Sequence, residues 1–84
     1  MSAEIVIIRE WPKNTREHVR VALDEYQGTP LVDIRVCAEF GGPAGLYSPT
    51  KKGISMHVRH LPVLIEALTA AAERARGNGL LGAT

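Results

Sequence analysis

Two stretches of the chain alternate between apolar and polar side chains with the period of a β-strand. In the first stretch, one side carries Val19, Val21 and Leu23 and the other carries His18, Arg20, Ala22 and Asp24. In the second, one side carries Val32, Ile34, Val36 and Ala38 and the other carries Asp33, Arg35, Cys37 and Glu39. This alternation predicts two half-buried strands. Gln27-Gly28-Thr29 between them predicts a hairpin, and Arg20 and Arg35 both fall on the side away from the core.

Two further segments predict outer strands. Ile5-Val6-Ile7-Ile8 is a short β-branched run, typical of a strand that is buried on both faces or covered by another subunit. We expect Trp11-Pro12-Lys13-Asn14 to form the turn that follows, because proline cannot donate to a ladder and asparagine tolerates left-handed backbone geometry. The glycine-rich segment 41–45 predicts a loop, and Lys51 to Met56 predicts the fourth strand.

From about Val58 the apolar spacing changes to a helical period. The apolar stripe comprises Leu61, Leu64, Ile65, Leu68 and Ala72. Pro62 suits the helix start and Gly77 suits its C-cap. The element order predicts an α+β fold in which a four-stranded antiparallel sheet is followed by one C-terminal helix (ββββα). We expect a single domain over residues 1–76 and a flexible tail over residues 77–84.

The size of the chain favours a partner subunit. A domain of 84 residues buries a small fraction of its surface, and Cys37 is the only cysteine, which excludes an internal disulfide. No stretch reaches the roughly 18 apolar residues of a membrane span. Glu4 stands where a secretory signal would carry basic residues, and the apolar run that follows it is too short. We therefore expect a cytoplasmic protein with no membrane partner.

The charge is small in total and uneven along the chain. The formal net charge is +1. Residues 1–39 carry seven acids against five lysines and arginines, whereas residues 40–65 carry no acid. The cationic and histidine side chains of that second segment are Lys51, Lys52, His57, Arg59 and His60. This segregation is consistent with a polyanionic ligand and also with an ordinary solvated surface.

Three segments, in this order, carry a family resemblance. They run from Val19-Arg20-Val21 through Tyr26-Gln27-Gly28, from Leu31 to Arg35, and from Pro49 through Lys51-Lys52-Gly53-Ile54-Ser55 to Met56. Together with the helix behind them, they resemble the transcriptional coactivators related to positive cofactor four, including the bacterial members. The resemblance covers about residues 4–76, and the Lys-Lys-Gly-Ile-Ser stretch is its most specific part.

The resemblance implies a homodimer whose curved sheets present grooves for single-stranded DNA and whose helices pack at the subunit interface. It implies binding without catalysis, association with the nucleoid, and the transcription machinery as a further partner. Matched position by position, the family's ligand contacts correspond to Tyr26, Arg35, Lys51 and Lys52. The sequence departs from the family after Arg35, where an aromatic side chain is common and this chain has Cys37 and Ala38. The nearest aromatic residue is Phe40.

The chemistry of the residues supports the same kind of site. Aromatic rings stack on unpaired bases and cations follow the phosphates. The candidate rings are Trp11, Tyr26, Phe40 and Tyr47, and the candidate cations are Arg20, Arg35, Lys51 and Lys52, with Lys13 and Arg16 at the rim. Each has a structural alternative: Trp11 as a core or dimer contact, the other rings as covers over the core, and the lysines as solvated charges.

Catalytic and metal sites are weakly supported by the sequence. Cys37, His57 and His60 resemble a thiol with a base, or three metal ligands, but no fourth ligand and no nucleotide-binding glycine motif occurs. We therefore predict no catalytic residue, no metal and no cofactor. The predicted function is binding of single-stranded DNA with little sequence specificity, in transcription regulation or genome maintenance, with RNA as the other candidate ligand. The alternative is a protein-interaction dimer of the same fold without nucleic-acid binding.

Overall fold

The chain forms one open, curved antiparallel sheet followed by one C-terminal helix. The computed structural model describes residues 5–39 and 46–81. The strands are β1 (Val6–Pro12), β2 (Glu17–Tyr26), β3 (Thr29–Ala38) and β4 (Ser48–His57), and they lie in the order β1-β2-β3-β4. A 3₁₀ turn (Val58–His60) leads into helix α1 (Leu61–Gly77). The predicted α+β fold is confirmed, with every strand beside its neighbour in sequence.

The strand register separates the sheet into two chemically different faces. On one face, Val19 pairs with Val36, Val21 with Ile34, and Leu23 with Val32. On the other, His18 pairs with Cys37, Arg20 with Arg35, and Ala22 with Asp33. We call these the apolar face and the polar face. The alternation read from the sequence therefore assigns the two faces correctly. The expectation that the polar face lies away from the core is wrong, because Ala22 and Cys37 on that face are buried.

Strand β1 extends further than the sequence predicts. Trp11 pairs with Val19 and Pro12 with His18, so both belong to the strand, and the turn occupies residues 13–16. Proline is tolerated here because β1 is an edge strand, where one row of N–H groups has no ladder partner. The side chains of Ile5 to Ile8 are each more than half exposed. The predicted burial of this run on both faces is therefore not found within the described chain.

The hairpin between β2 and β3 turns on two residues with positive φ. Gln27 has φ 51° and Gly28 has φ 82°. This combination is the type I′ turn, whose twist matches that of the flanking strands. The tight turn fixes the β2–β3 register and hence the pairing of Arg20 with Arg35.

Helix α1 begins as predicted, and its C-cap is Asn78, one residue after the predicted Gly77. Pro62 lies in its first turn. The C-terminal glycine is Gly79 (φ 74°) rather than Gly77, which is the last helical residue. Leu80 N donates to Ala75 O at 2.8 Å and Gly79 N donates to Arg76 O at 3.0 Å. These two bonds form a Schellman cap, so residues 78–80 continue the ordered helix end.

The helix contributes little to a core within one chain. None of its residues is buried, and Val63, Ile65 and Leu68 are more than half exposed. Among the described residues, the buried hydrophobic side chains are Ala22, Val32 and Cys37. No helix in the described part of the chain is long and apolar enough to cross a membrane.

Candidate nucleic-acid interface

Arg35 lies flat across the polar face and is held by neighbouring groups. Its Nη2 donates to Asp33 Oδ1 at 2.6 Å and its Nε to Asp33 Oδ2 at 3.3 Å. Its Nη1 reaches the carbonyl oxygens of Thr50 and Lys51, each at 3.4 Å. The hydrogen bond to Asp33 raises the pKa of Arg35 above its usual range, while burial acts in the opposite direction. Arg35 therefore ties the start of β4 to β3, and its charge is largely compensated.

The path of Arg35 depends on Gly53, which faces it across the strands. A Cβ at position 53 would meet the carbonyl oxygen of Ile34 and would lie 2.9 Å from Arg35 Cα and 3.0 Å from Arg35 Cζ. No side chain fits there without moving backbone atoms. The glycine within the Lys-Lys-Gly-Ile-Ser stretch thus lets the guanidinium cross β4.

Arg20 is the cation of the polar face with an unsatisfied donor. It pairs directly with Arg35. Its Nε is buried and, within the described residues, is the one buried side-chain nitrogen or oxygen without a hydrogen-bond partner. Like charges opposite each other in a sheet repel. Because Asp33 compensates Arg35, most of the uncompensated positive charge of this pair belongs to Arg20.

Lys51 and Lys52 are both exposed and lie where β4 departs from regular pairing. The β3–β4 register shifts between Arg35 and Cys37. Thr50 Oγ1 stabilises this irregularity, since it donates to Val36 O at 2.8 Å and accepts from Lys52 N at 3.1 Å. Lys52 Nζ lies 3.7 Å from Glu17 Oε2, yet its side chain is 74% exposed. Such a pair is weak enough to be replaced by a phosphate.

Lys13 and Arg16 belong to the turn between β1 and β2. Asn14 Oδ1 organises this turn by accepting from Arg16 N at 2.9 Å and Glu17 N at 2.8 Å. Lys13 Nζ donates to Glu17 Oε1 at 3.3 Å, and Asn14 Nδ2 donates to the same oxygen at 2.9 Å. These two hydrogen bonds, that from Asn14 first, lower the pKa of Glu17. Lys13 is thus paired within the turn, whereas Arg16 is exposed.

The candidate rings do not all lie together. Tyr26 ends β2 on the polar face, in line with Arg20, and is 65% exposed. Trp11 pairs with Val19 and so lies on the apolar face, away from the arginines. Phe40 lies outside the described residues. Of the predicted rings, the structure brings Tyr26 and Tyr47 to the face that carries the arginines.

One contact of the polar face is not indicated by the sequence. The Tyr47 ring stacks on the His18 ring, with centroids 3.8 Å apart and planes inclined by 15°. His18 Nδ1 is 2.8 Å from Glu10 Oε2. The strand alternation places His18 on this face, but only the β1–β2 register and the path into β4 bring Glu10 and Tyr47 to it.

The structure separates the residues of the alternative thiol or metal site. Cys37 is 1% exposed, and burial raises the pKa of its thiol, which disfavours the thiolate. His57 pairs with Leu31, six residues from Cys37 along β3, which corresponds to about 20 Å. No group of three metal-ligating side chains occurs within residues 5–39 and 46–81.

Comparison with known proteins identifies the family. The family model described as Transcriptional Coactivator p15 (PC4) matches residues 13–67. The chain belongs to the PC4 family. The matched segment contains every candidate site residue except Trp11, which precedes it. PC4 proteins are DNA-binding transcription cofactors, so membership supports a nucleic-acid partner and a role related to transcription.

Solved structures of a bacterial PC4 protein share the fold. A PC4 homolog from Burkholderia pseudomallei, in an orthorhombic crystal form, superposes with a TM-score of 0.71 and 27% identity, covering 79% of this chain and 86% of that one. Its tetragonal crystal form superposes with a TM-score of 0.72 and 26% identity, covering 82% of this chain and 98% of that one. No curated protein sequence matches the chain significantly. The predicted resemblance to the PC4-related coactivators, including their bacterial members, is confirmed.

Proposed function

We propose that the chain is a homodimeric protein that binds single-stranded DNA with little sequence preference and acts in transcription regulation or genome maintenance. The observation that carries the proposal is the polar face itself. It carries Arg20 and the exposed Tyr26, and it borders the exposed pair Lys51 and Lys52 of β4. Phosphates and ring faces are common to all nucleotides, so such a surface favours unpaired strands over particular sequences.

The dimensions of the polar face suit an extended strand. Tyr26 and His18 lie at the two ends of β2, eight residues and about 27 Å apart. Arg20 lies between them on the same face. A single strand that follows β2 would meet a ring at each end and a cation between them.

The homodimer is supported by the surface that one chain leaves exposed. The chain exposes 6625 Å². A compact protein of 9.1 kDa is expected to expose about 4,900 Å². The difference is of the size that a stable dimer buries. The apolar face, with Ile54 52% exposed, and the helix, with Leu68 58% exposed, provide matching apolar surfaces on each protomer.

The test is a titration of a fluorescein-labelled (dT)16 oligonucleotide and of a 16-base-pair duplex at two salt concentrations. We expect tight binding of the single strand that weakens with salt. If about four phosphates are contacted, the slope of log affinity against log salt should be near −3. Lys51→Ala/Lys52→Ala should weaken binding strongly. Arg74→Ala/Arg76→Ala removes the same charge from the end of the helix and is the matched control. An (rU)16 competitor measures the preference for DNA over RNA.

A second candidate function is protein interaction by the same dimer without nucleic-acid binding. It is favoured by the internal pairing of several cations, since Asp33 compensates Arg35 and Glu17 pairs with Lys13 and Lys52. If the chain fails to bind (dT)16 at low salt, this second function replaces the first.

A further inference from the structure

The stacked rings of His18 and Tyr47 form a preorganised surface on the polar face. The imidazole belongs to the sheet, where His18 Nδ1 lies 2.8 Å from Glu10 Oε2. The phenol ring comes from the residue just before β4 and lies over the imidazole at a centroid distance of 3.8 Å. Three separate segments of the chain are therefore needed to hold this one pair.

The residue that pairs with His18 across the sheet is closed to solvent. His18 pairs with Cys37, and Cys37 pairs on its other side with Pro49. Cys37 is 1% exposed, although it lies on the polar face. A small side chain at this position leaves room for rings above it. The His18 side chain keeps 23% of its surface exposed, so the pair covers the sheet and also faces solvent.

The pair lies beside Arg20 on the polar face. His18 and Arg20 are two residues apart on β2 and project from the same face, about 7 Å apart along the strand. No other aromatic ring in the described residues stacks on Tyr47. Tyr47 is partly exposed, and a further planar group would add to the ring face that it turns away from His18.

We propose that the His18–Tyr47 pair is a stacking platform for an unpaired nucleobase, with Arg20 contacting the neighbouring phosphate. This inference rests on the proposed single-strand binding and adds a specific base site to it. The rings are already fixed by Glu10 and by each other. A base that stacks there therefore immobilises few additional side-chain torsions. Any base has a π-face, so the platform adds affinity without adding sequence preference.

The test compares (dT)16 with an abasic 16-mer that has the same phosphates and no bases. Tyr47→Leu keeps an apolar side chain and removes the ring. We expect it to weaken (dT)16 binding by about 5- to 150-fold and to leave abasic binding unchanged. Tyr47→Phe should bind both oligonucleotides like the wild type. Lys51→Ala/Lys52→Ala should weaken binding of both, because it removes phosphate contacts.

The outcomes separate this inference from the proposed function. Equal loss for both oligonucleotides, or no loss for either, in Tyr47→Leu would overturn the platform while single-strand binding stands. Failure of the wild-type protein to bind (dT)16 would overturn both. If Tyr47→Leu does not fold, Tyr47→Trp in a Trp11→Phe background gives an independent reading. Its fluorescence should be quenched by (dT)16 and not by the abasic strand, and equal responses would contradict the platform.

Discussion

The carboxylate of Asp33 and the guanidinium of Arg35 form a two-point contact on the polar face, with Oδ1 2.6 Å from Nη2 and Oδ2 3.3 Å from Nε. The family resemblance assigns Arg35 to ligand binding. In this chain its donors are directed to Asp33 and to the carbonyls of Thr50 and Lys51. The arginine therefore acts first as a structural tie that sets the position of the lysine pair, and the carboxylate limits how much positive charge the face offers.

Asp33→Asn separates these two roles. Both side chains of the pair are mostly buried, so loss of the charged contact should lower the free energy of unfolding by about 1–3 kcal/mol. The freed charge of Arg35 should also strengthen (dT)16 binding at low salt by about 2- to 5-fold. Urea denaturation and oligonucleotide titration measure the two effects.

The control for this variant is Asp24→Asn, which removes an acid of β2 from the same polar face without touching Arg35. Asp24→Asn should raise the affinity for (dT)16 less than Asp33→Asn does, and it should leave the free energy of unfolding nearly unchanged. If Asp33→Asn weakens single-strand binding although it folds, the tie to Thr50 and Lys51 matters more than the charge, and the carboxylate is required for the site.

Gly53→Ala should be strongly destabilising. The new Cβ would meet backbone atoms of Ile34 and Arg35, which cannot move without disturbing the sheet. We expect a loss of about 1–3 kcal/mol in the free energy of unfolding. Gly77→Ala is the matched control, because no atom lies within 4 Å of its Cβ position. That variant should gain about 0.5 kcal/mol from the helix preference of alanine. Thermal unfolding of both variants measures the contrast, and equal effects would contradict the close crossing at Gly53.

The parts of the fold that depend on local patterns were predictable from the sequence. Alternation assigned the two faces of β2 and β3, the glycine turn placed the hairpin, and Pro62 marked the helix start. The end of β1 was not predictable, because Pro12 is compatible with both a turn and an edge strand. The helix end was misplaced because two glycines lie close together and only backbone φ distinguishes Gly79 as the capping residue.

The candidate site was less predictable because its contacts cross strands. Asp33 and Arg35 are two residues apart on one strand, so their shared face follows from the alternation, but the reach of Arg35 over Gly53 depends on the β3–β4 register. The His18–Tyr47 stack likewise depends on where the chain returns to form β4. Trp11 lies on the apolar face because it pairs with Val19 in β1, whereas the sequence pattern predicted a turn at this position.

The turn between β1 and β2 should make stability depend on acid pH through Glu17. Hydrogen bonds from Asn14 and Lys13 lower the pKa of Glu17 in the folded chain from its ordinary value of 4.5. A lowered folded-state pKa gives stability that is present above the unfolded value and is lost as pH falls through the folded value. Glu17→Gln should therefore flatten the dependence of the unfolding midpoint on pH below about 4.5 relative to wild type. Glu25→Gln, on the same strand, is the control and should keep the wild-type dependence.

The exposed side of helix α1 should decide the oligomeric state. Leu68 is 58% exposed in one chain although it is strongly apolar, which is the arrangement expected of a residue covered by a second copy. Leu68→Glu would place a charge in that interface, and sedimentation equilibrium should then give the monomer mass where the wild type gives twice that mass. Ala70→Glu adds the same charge about half a turn around the helix and should remain dimeric. Because a dimer gains stability with concentration, the wild-type unfolding midpoint should rise with protein concentration and that of Leu68→Glu should not. A wild-type protein that sediments as a monomer at all concentrations would contradict the homodimer and would leave the apolar face without its proposed cover.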